Sequence, residues 1–222
     1  MFETEEAQVA HFKVSFIKDD QYIGNNLRHG HEWDGWMRQD LPHMIKPGTE
    51  ILDVGGNIGY NALMFSDYAP VHTFEPLFHT IISKNVEQNP GVKHPITVCP
   101  YGLSDSQART DIFLPKKDGI LRNYGGTSLH PNETQHSDEK FSIQLEKLDD
   151  VYTGTPSLMK IDVEGHEFEV IRGAVETINR HRPFLYVEIF GFEESPIPGF
   201  LERLGYKQVV QRPEHNYLFI PS

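Results

Sequence analysis

Short apolar runs alternate along the chain with longer segments in which apolar residues recur at helical spacing. The short runs predict buried strands at residues 51–54, 71–75, 96–99, 158–162 and 184–188. The longer segments predict helices at residues 57–68, 78–89, 167–179 and 197–204. This alternation predicts an α/β fold with a doubly wound, mostly parallel sheet. Two last apolar runs, 206–211 and 216–220, add an antiparallel C-terminal hairpin that completes a seven-stranded sheet.

Two segments lie outside this alternation. Residues 1–45 precede the sheet and carry an aromatic stretch at helical spacing that includes Trp33 and Trp36. Residues 115–138 show no period and are rich in Gly, Asn, Pro and Lys, so they predict a long loop, which in a compact domain is usually functional. Because 222 residues fit one domain, we expect a single domain with a core at 46–222 and a cap over its ligand sites at 1–45.

A strand, a glycine turn and the start of a helix follow one another within residues 51–65. The turn reads Gly55-Gly56-Asn57-Ile58-Gly59, which lacks the G-x-G-x-x-G spacing of dinucleotide-binding proteins. Asp53 stands two residues before the first glycine. A carboxylate there suits a ligand that carries a positive charge, such as S-adenosylmethionine, whereas it would repel a pyrophosphate. The turn therefore favours S-adenosylmethionine as the cofactor over a nicotinamide dinucleotide.

Polar residues also follow the ends of the other predicted strands, which meet at one edge of a parallel sheet. Glu75 ends the second strand, where its carboxylate can accept hydrogen bonds from ribose hydroxyls. The segment 101–105 follows the third strand and is well placed for an adenine edge. Lys160-Ile161-Asp162-Val163-Glu164-Gly165-His166-Glu167 ends the fourth strand and Glu188 the fifth. Carboxylates gathered at one edge repel each other unless a ligand or partner compensates them, so their joint placement indicates a binding site.

With these motifs the chain resembles the FkbM family of S-adenosylmethionine-dependent methyltransferases. The matching segments are Ile51–Gly59, Phe74–Pro76, Gly102–Asp105, Gly125–Leu129 and Lys160–Glu167. The resemblance implies a class I, Rossmann-like methyltransferase fold and O-methylation of hydroxyls on sugars, glycans or secondary metabolites. Gly56 departs from the alanine that is common in the family. The residues that we expect to bind the cofactor are Asp53, Gly55, Asn57, Gly59, Glu75, Pro76, Leu103 and Asp105.

The candidates for assisting proton removal from the acceptor hydroxyl are Asp162, Glu164 and His166, because a base within hydrogen-bond reach helps a hydroxyl to attack. Other roles remain open for them: His166 could bond backbone at a helix start, and Asp162 could contact the amino acid moiety of the cofactor. Glu188 could be a structural partner of Lys160. Asp162, Glu164 and Glu188 could also gather around Mg²⁺, although no metal site is assigned.

Charge and composition separate the remaining function classes. A net charge of −12 argues against nucleic-acid or anionic-membrane partners, which require a basic face. The chain has no apolar run of about 18 residues and no signal-like start, so we expect a soluble, cytoplasmic protein. A nucleic-acid methyltransferase would also need an Asn/Asp-Pro-Pro-Tyr block, which is missing. The sequence favours O-methylation of a sugar or glycan hydroxyl. The alternatives are a non-sugar acceptor, a nicotinamide-dependent oxidoreductase and a non-catalytic binding module.

Overall fold

The computed structural model describes residues 2–132, 134–213 and 215–222. Its strands are β1 (Thr4–Val9), β2 (Phe12–Ile17), β3 (Glu50–Val54), β4 (Val71–Phe74), β5 (Ile96–Cys99), β6 (Gly102–Ser104), β7 (Ala108–Pro115), β8 (Lys117–Asp118), β9 (Leu121–Arg122), β10 (His136–Lys147), β11 (Pro156–Ile161), β12 (Phe184–Glu188), β13 (Tyr206–Gln211) and β14 (Asn216–Pro221). Its α-helices are α1 (Ile23–Arg28), α2 (Leu41–Met44), α3 (Tyr60–Phe65), α4 (His79–Glu87), α5 (Leu148–Val151), α6 (Glu167–Arg172), α7 (Val175–His181) and α8 (Ile197–Arg203). Short 3₁₀ helices span Gly35–Gln39 and Tyr124–Gly126.

The main sheet has the strand order β13-β14-β12-β11-β3-β4-β5. The five strands from β12 to β5 pair in parallel, whereas β14 pairs antiparallel with both β12 and β13. The predicted α/β fold with a large mixed sheet is therefore confirmed. The chain runs outward from β3 to β4 and β5 and then returns to β11 on the other side of β3. This reversal places a crevice at the carboxyl ends of β3 and β11.

Successive residues along the parallel strands point to opposite faces of the sheet, and each face has its own core. Ile51 and Leu158 pack with α3, α4 and the N-terminal segment, whereas Leu52 and Met159 pack with α6, α7 and α8. Both faces are covered, which explains why these strands read as continuous apolar runs. None of the helices in the described ranges is long and apolar enough to cross a membrane.

The segments outside the main sheet contain more regular structure than the sequence predicted. The N-terminal segment begins with the β1–β2 hairpin, which the aromatic helical pattern did not predict. The predicted long loop at 115–138 contains short elements of regular structure. Its start forms the short β8–β9 hairpin, and its end joins β10, which pairs with β6 and β7 in a second, three-stranded sheet.

The helix predicted at 167–179 consists of two helices, α6 and α7, separated at Gly173. A Cβ on Gly173 would overlap the carbonyl oxygen of Ser104, at the end of β6. Because Gly173 has no side chain, the three-stranded sheet approaches the helix layer closely at this point.

Candidate active site

A cavity of about 630 Å³ opens at the carboxyl ends of the central strands, above the boundary between β3 and β11. The glycine turn after β3 forms its floor, together with the ends of β4, β11 and β12. The small sheet supplies an apolar wall that includes Leu103, Ile112 and Leu145. Ligands of doubly wound sheets bind at this position, so the cavity is the candidate active site.

The glycine turn adopts backbone conformations that few residues other than glycine reach. Gly55, Asn57 and Gly59 have φ angles of +88°, +48° and +85°. A Cβ on Gly55 would overlap the carbonyl oxygen of Asp162, so glycine is required for the turn to lie against the end of β11. Gly55 and Asn57 line the cavity, whereas Gly59 packs against Ile82 of α4 and is not among the described residues that line it.

Glu75 connects the glycine turn to the start of α4. Its Oε2 accepts a hydrogen bond of 3.0 Å from the backbone N–H of Asn57, and its Oε1 accepts bonds of 2.8 Å from Leu77 and 3.0 Å from Phe78. Burial raises the pKa of this carboxyl to about 7, although the three backbone donors favour the ionised form. Glu75 and Pro76 line the cavity, so the carboxylate is held rigidly at its edge.

Besides Gly59, two more of the expected cofactor ligands lie away from the described lining of the cavity. Asp53 is 1% exposed and accepts a hydrogen bond of 3.0 Å from the hydroxyl of Thr73. Burial raises the pKa of Asp53 to about 6, despite the charge of Lys160, its neighbour in register on β11. Asp105 forms an ion pair of 3.0 Å with Arg172. The geometry therefore gives Asp53 and Asp105 partners within the protein.

Lys160 is a buried cation, 1% exposed, in the centre of the sheet. Its Nζ lies 2.6 Å from Oδ2 of Asp162 and 3.7 Å from Oδ2 of Asp34. Burial alone would lower the pKa of Lys160, but the carboxylates of Asp162, Asp34 and Asp53 outweigh burial and raise it. The sequence analysis considered Glu188 as its structural partner, whereas the structure pairs Lys160 with the two aspartates.

Asp162, Glu164 and Glu188 form a cluster, in which one carboxylate oxygen of each residue lies within 4.8 Å of the others. All three line the cavity. Burial and the negative charge of Asp162 raise the pKa of Glu164 to about 8 and that of Glu188 to about 11. Glu164 has a φ of +55°, which is strained for a residue with a side chain, and Glu167 braces this turn by accepting hydrogen bonds from Val163 and Gly165.

His166 lines the cavity beside this cluster and is 8% exposed. Its Nε2 lies 3.0 Å from the hydroxyl oxygen of Ser104, and its Nδ1 lies 3.0 Å from Nε2 of His130. Burial lowers the pKa of His166, so the ring is neutral at pH 7. Ser104 and His130 thus fix the ring orientation, and a role as base would require one of these two contacts to open.

Aromatic side chains surround the outer part of the cavity. Tyr22 and Trp33 come from the N-terminal segment, Tyr124 from the 3₁₀ turn that follows β9, and Phe190 and His215 from the ends of β12 and β14. Phe190 is 55% exposed and contacts the His215 ring at a centroid distance of 5.0 Å. Trp36 instead packs against Tyr186 in the core, with ring centroids 5.3 Å apart.

Three residues of the site carried no sequence motif. Asp34 contacts Lys160 and Asn61, His130 contacts His166, and Phe190 lines the cavity. They come from segments that are distant in sequence, and only the tertiary fold brings them to the site. No local pattern identifies such residues.

The strand order reverses at β3, and the cavity lies at this point. Both features are typical of α/β proteins that bind a nucleotide-like cofactor at the switch point of the sheet. The sequence profile of the methyltransferase FkbM domain matches residues 53–208. The chain belongs to the FkbM methyltransferase family, as its motifs predicted.

Two characterised relatives and one solved structure are similar to the chain. The hexuronic acid methyltransferase AglP of Haloferax volcanii is 34% identical over 163 residues, which cover 68% of this chain and 62% of AglP. The 2-O-methyltransferase NoeI of Sinorhizobium fredii is 29% identical over 196 residues, which cover 79% of each protein. The crystal structure of an FkbM methyltransferase from Methylobacillus flagellatus superposes with a TM-score of 0.54 at 17% identity, over 78% of this chain and 43% of that one, and shows the shared fold.

Proposed function

We propose that the protein is an S-adenosylmethionine-dependent O-methyltransferase that methylates a hydroxyl group of a sugar or glycan. The observation that carries this proposal is a single cavity that joins the glycine turn and Glu75 to the carboxylates and His166 after β11. Family membership supports methyl transfer, and the names of AglP and NoeI support a sugar acceptor and an oxygen nucleophile.

The residues of the inner cavity fit S-adenosylmethionine. The backbone of the glycine turn lines the cavity at Gly55, Gly56 and Asn57, and Glu75 presents a rigidly held carboxylate to ribose hydroxyls. The side-chain oxygens of Asn57 and Asn61 are buried without a hydrogen-bond partner, although both residues line the cavity. Buried acceptors without donors are rare in folded proteins, so they indicate a polar ligand. The apolar wall with Leu103 and Ile112 suits an adenine ring.

When it is bound, S-adenosylmethionine supplies an electrophilic methyl group. The protein must then hold the acceptor hydroxyl in line with that methyl and accept its proton, and positioning accounts for much of the acceleration. The three candidates for the base differ in their surroundings. Asp162 already accepts from Lys160, Glu164 has a raised pKa, and His166 is neutral but engaged at both ring nitrogens.

Substitutions distinguish the three candidates for the base. If His166 is the base, His166→Ala lowers kcat by about 10²–10⁴-fold while binding of S-adenosylhomocysteine is retained. If His166→Ala is nearly silent and Asp162→Asn or Glu164→Gln abolishes turnover, a carboxylate takes the proton. Loss of cofactor binding in all three variants would contradict an acceptor-side role for this group.

We further propose that the acceptor contacts both the N-terminal segment and residues 123–129. Tyr22, Trp33 and Tyr124 offer aromatic faces to the cavity, and Leu129 adds an apolar one. Tyr22→Ala should raise the KM of the acceptor and leave the affinity for S-adenosylhomocysteine unchanged. Val209→Ala is a control, because Val209 is an exposed hydrophobic residue on β13 that is not among the described lining residues. An equal loss of acceptor and cofactor binding in Tyr22→Ala would contradict a separate acceptor site.

A further inference from the structure

We infer that Asp162, Glu164 and Glu188 bind one divalent cation, Mg²⁺ or Mn²⁺, at the acceptor side of the cavity. Their carboxylates come from two neighbouring strands: Asp162 and Glu164 follow β11, and Glu188 ends β12. One oxygen of each lies within 4.8 Å of the other two. This inference adds a metal site to the proposed active site.

Glu188 provides an independent sign that a ligand is present in the functional protein. The side chain is more than nine-tenths buried, at 7% relative exposure, and it lines the cavity. Its Oε2 is buried and has no hydrogen-bond partner. A buried carboxylate oxygen without a donor is destabilising unless a ligand or cation satisfies it.

The charges around the cluster are not balanced by the protein. Lys160 is the only lysine or arginine among the described residues that line the cavity, and its Nζ is already 2.6 Å from Asp162 Oδ2. Asp34 also draws on the same ammonium group, at 3.7 Å. Glu164 and Glu188 therefore have no cation of their own among the described residues that line the cavity. A divalent ion would compensate them.

The ligand chemistry selects the kind of ion. All three donors are carboxylate oxygens, which Mg²⁺ and Mn²⁺ prefer over the nitrogen and sulfur ligands typical of zinc. Two oxygens on opposite sides of one Mg²⁺ are about 4.2 Å apart and two adjacent ones about 2.9 Å, so the three carboxylates, which lie within 4.8 Å of one another, would close around the ion. Water and acceptor oxygens would complete the shell. An ion at this position would polarise the acceptor hydroxyl, and this consequence rests on the proposed function. The binding of the cation itself does not depend on that function.

The competing arrangement is a Glu188–Asp162 pair that shares a proton and binds no ion. Titration of the metal-free full-length chain with Mn²⁺, followed by electron paramagnetic resonance, separates the two. We expect one Mn²⁺ per chain, displaced by Mg²⁺, and binding at least about tenfold weaker in Glu188→Gln, because the ligand charge sets the affinity of such sites. Glu202→Gln is the matched control, because Glu202 is exposed on α8, and it should bind Mn²⁺ like the wild type.

No binding up to about 1 mM Mn²⁺, the weak limit for such sites, would overturn the inference. Equal affinity in wild type and Glu188→Gln would overturn it as well. If circular dichroism shows that Glu188→Gln is unfolded, Glu164→Gln replaces it with the same expectation. S-adenosylhomocysteine binding is measured on the same samples. A chain that binds S-adenosylhomocysteine but no Mn²⁺ refutes only the metal site, whereas one that binds Mn²⁺ but no S-adenosylhomocysteine refutes the proposed cofactor and keeps the metal site.

Discussion

Replacing Lys160 by methionine should destabilise the protein strongly, because it removes a buried cation that lies among several carboxylates. Methionine has nearly the same length, so no large cavity forms. The Nζ lies 2.6 Å from Asp162 and 3.7 Å from Asp34, and Asp53 is its register neighbour on β3. Removing one partner of a buried ion pair costs about 3–5 kcal/mol. For a chain of this size, that loss lowers Tm by about 6–20 °C.

The free energy of unfolding that Lys160→Met loses should increase as pH rises. Without Lys160, the pKa of Asp53 rises further, so the variant retains its stability below the unfolded pKa of an aspartate, about 4, and loses it as pH rises. Lys160 itself has a raised pKa, so its contribution persists across neutral pH. The difference in free energy of unfolding between wild type and Lys160→Met is therefore largest near pH 7.5 and narrows towards pH 4.5.

Urea unfolding at the two pH values measures this difference. Lys207→Met is the matched control, because Lys207 is exposed on β13. The double variant Lys160→Met/Asp162→Asn should recover part of the loss, since it removes one of the unpaired carboxylates. A cost below about 1 kcal/mol, the median for exposed ion pairs, would refute the reasoning. A cost that does not change with pH would refute it equally.

Three further predictions concern the glycine turn and the cavity rim. Because the folded pKa of Asp53 is about 6, its contribution to stability is present below pH 4 and lost as pH rises to 6. The free energy of unfolding of Asp53→Asn, relative to that of wild type, should therefore increase by roughly 3 kcal/mol between pH 4 and pH 7, as measured by urea unfolding. A difference between the two proteins that does not change with pH would contradict this. Gly56→Ala should lower the free energy of unfolding by about 1–3 kcal/mol, since its Cβ would overlap the Thr73 hydroxyl. The double variant Gly56→Ala/Thr73→Ala should recover part of this loss in thermal melts, and an equal Tm for Gly56→Ala and wild type would exclude the overlap. Phe190→Ala should raise the acceptor KM by about 2–10-fold with kcat unchanged in steady-state assays, whereas an unchanged KM would place the acceptor elsewhere.

The main sheet was predictable because its strands are buried on both faces and its turns carry glycine. The runs at 51–54 and 158–162 are short and largely apolar and end at turn residues, which favours strands, and the positive φ of Gly55 explains the glycine motif. In contrast, β1 and β10 are rich in charged residues and half exposed. They are strands because they pair with β2 and β7, and pairing of this kind has little signature in a local pattern.

The candidate site was predictable in part, because several of its residues directly follow strand ends. Residues that follow strand ends, such as Glu75 and Asp162, lie in the cavity, because parallel strands end at one edge. Asp53 faces Lys160 and Thr73 inside the sheet, which only the register between β3 and β11 reveals. The contacts of His166 with Ser104 and His130 depend on how the small sheet docks, and the sequence motif does not contain that information.

Transfer of labelled methyl from S-adenosylmethionine to a panel of acceptors tests the proposed function most directly. The panel contains neutral sugars, hexuronic acids, glycans, non-sugar alcohols, amines and thiols, and mass spectrometry locates the added methyl. We predict a methyl ether on a hydroxyl of a sugar or glycan, and neutral sugars should be favoured, because Lys160 is the only lysine or arginine among the described lining residues and is buried among carboxylates. Methylation of an amine or thiol with no transfer to any sugar would contradict the account.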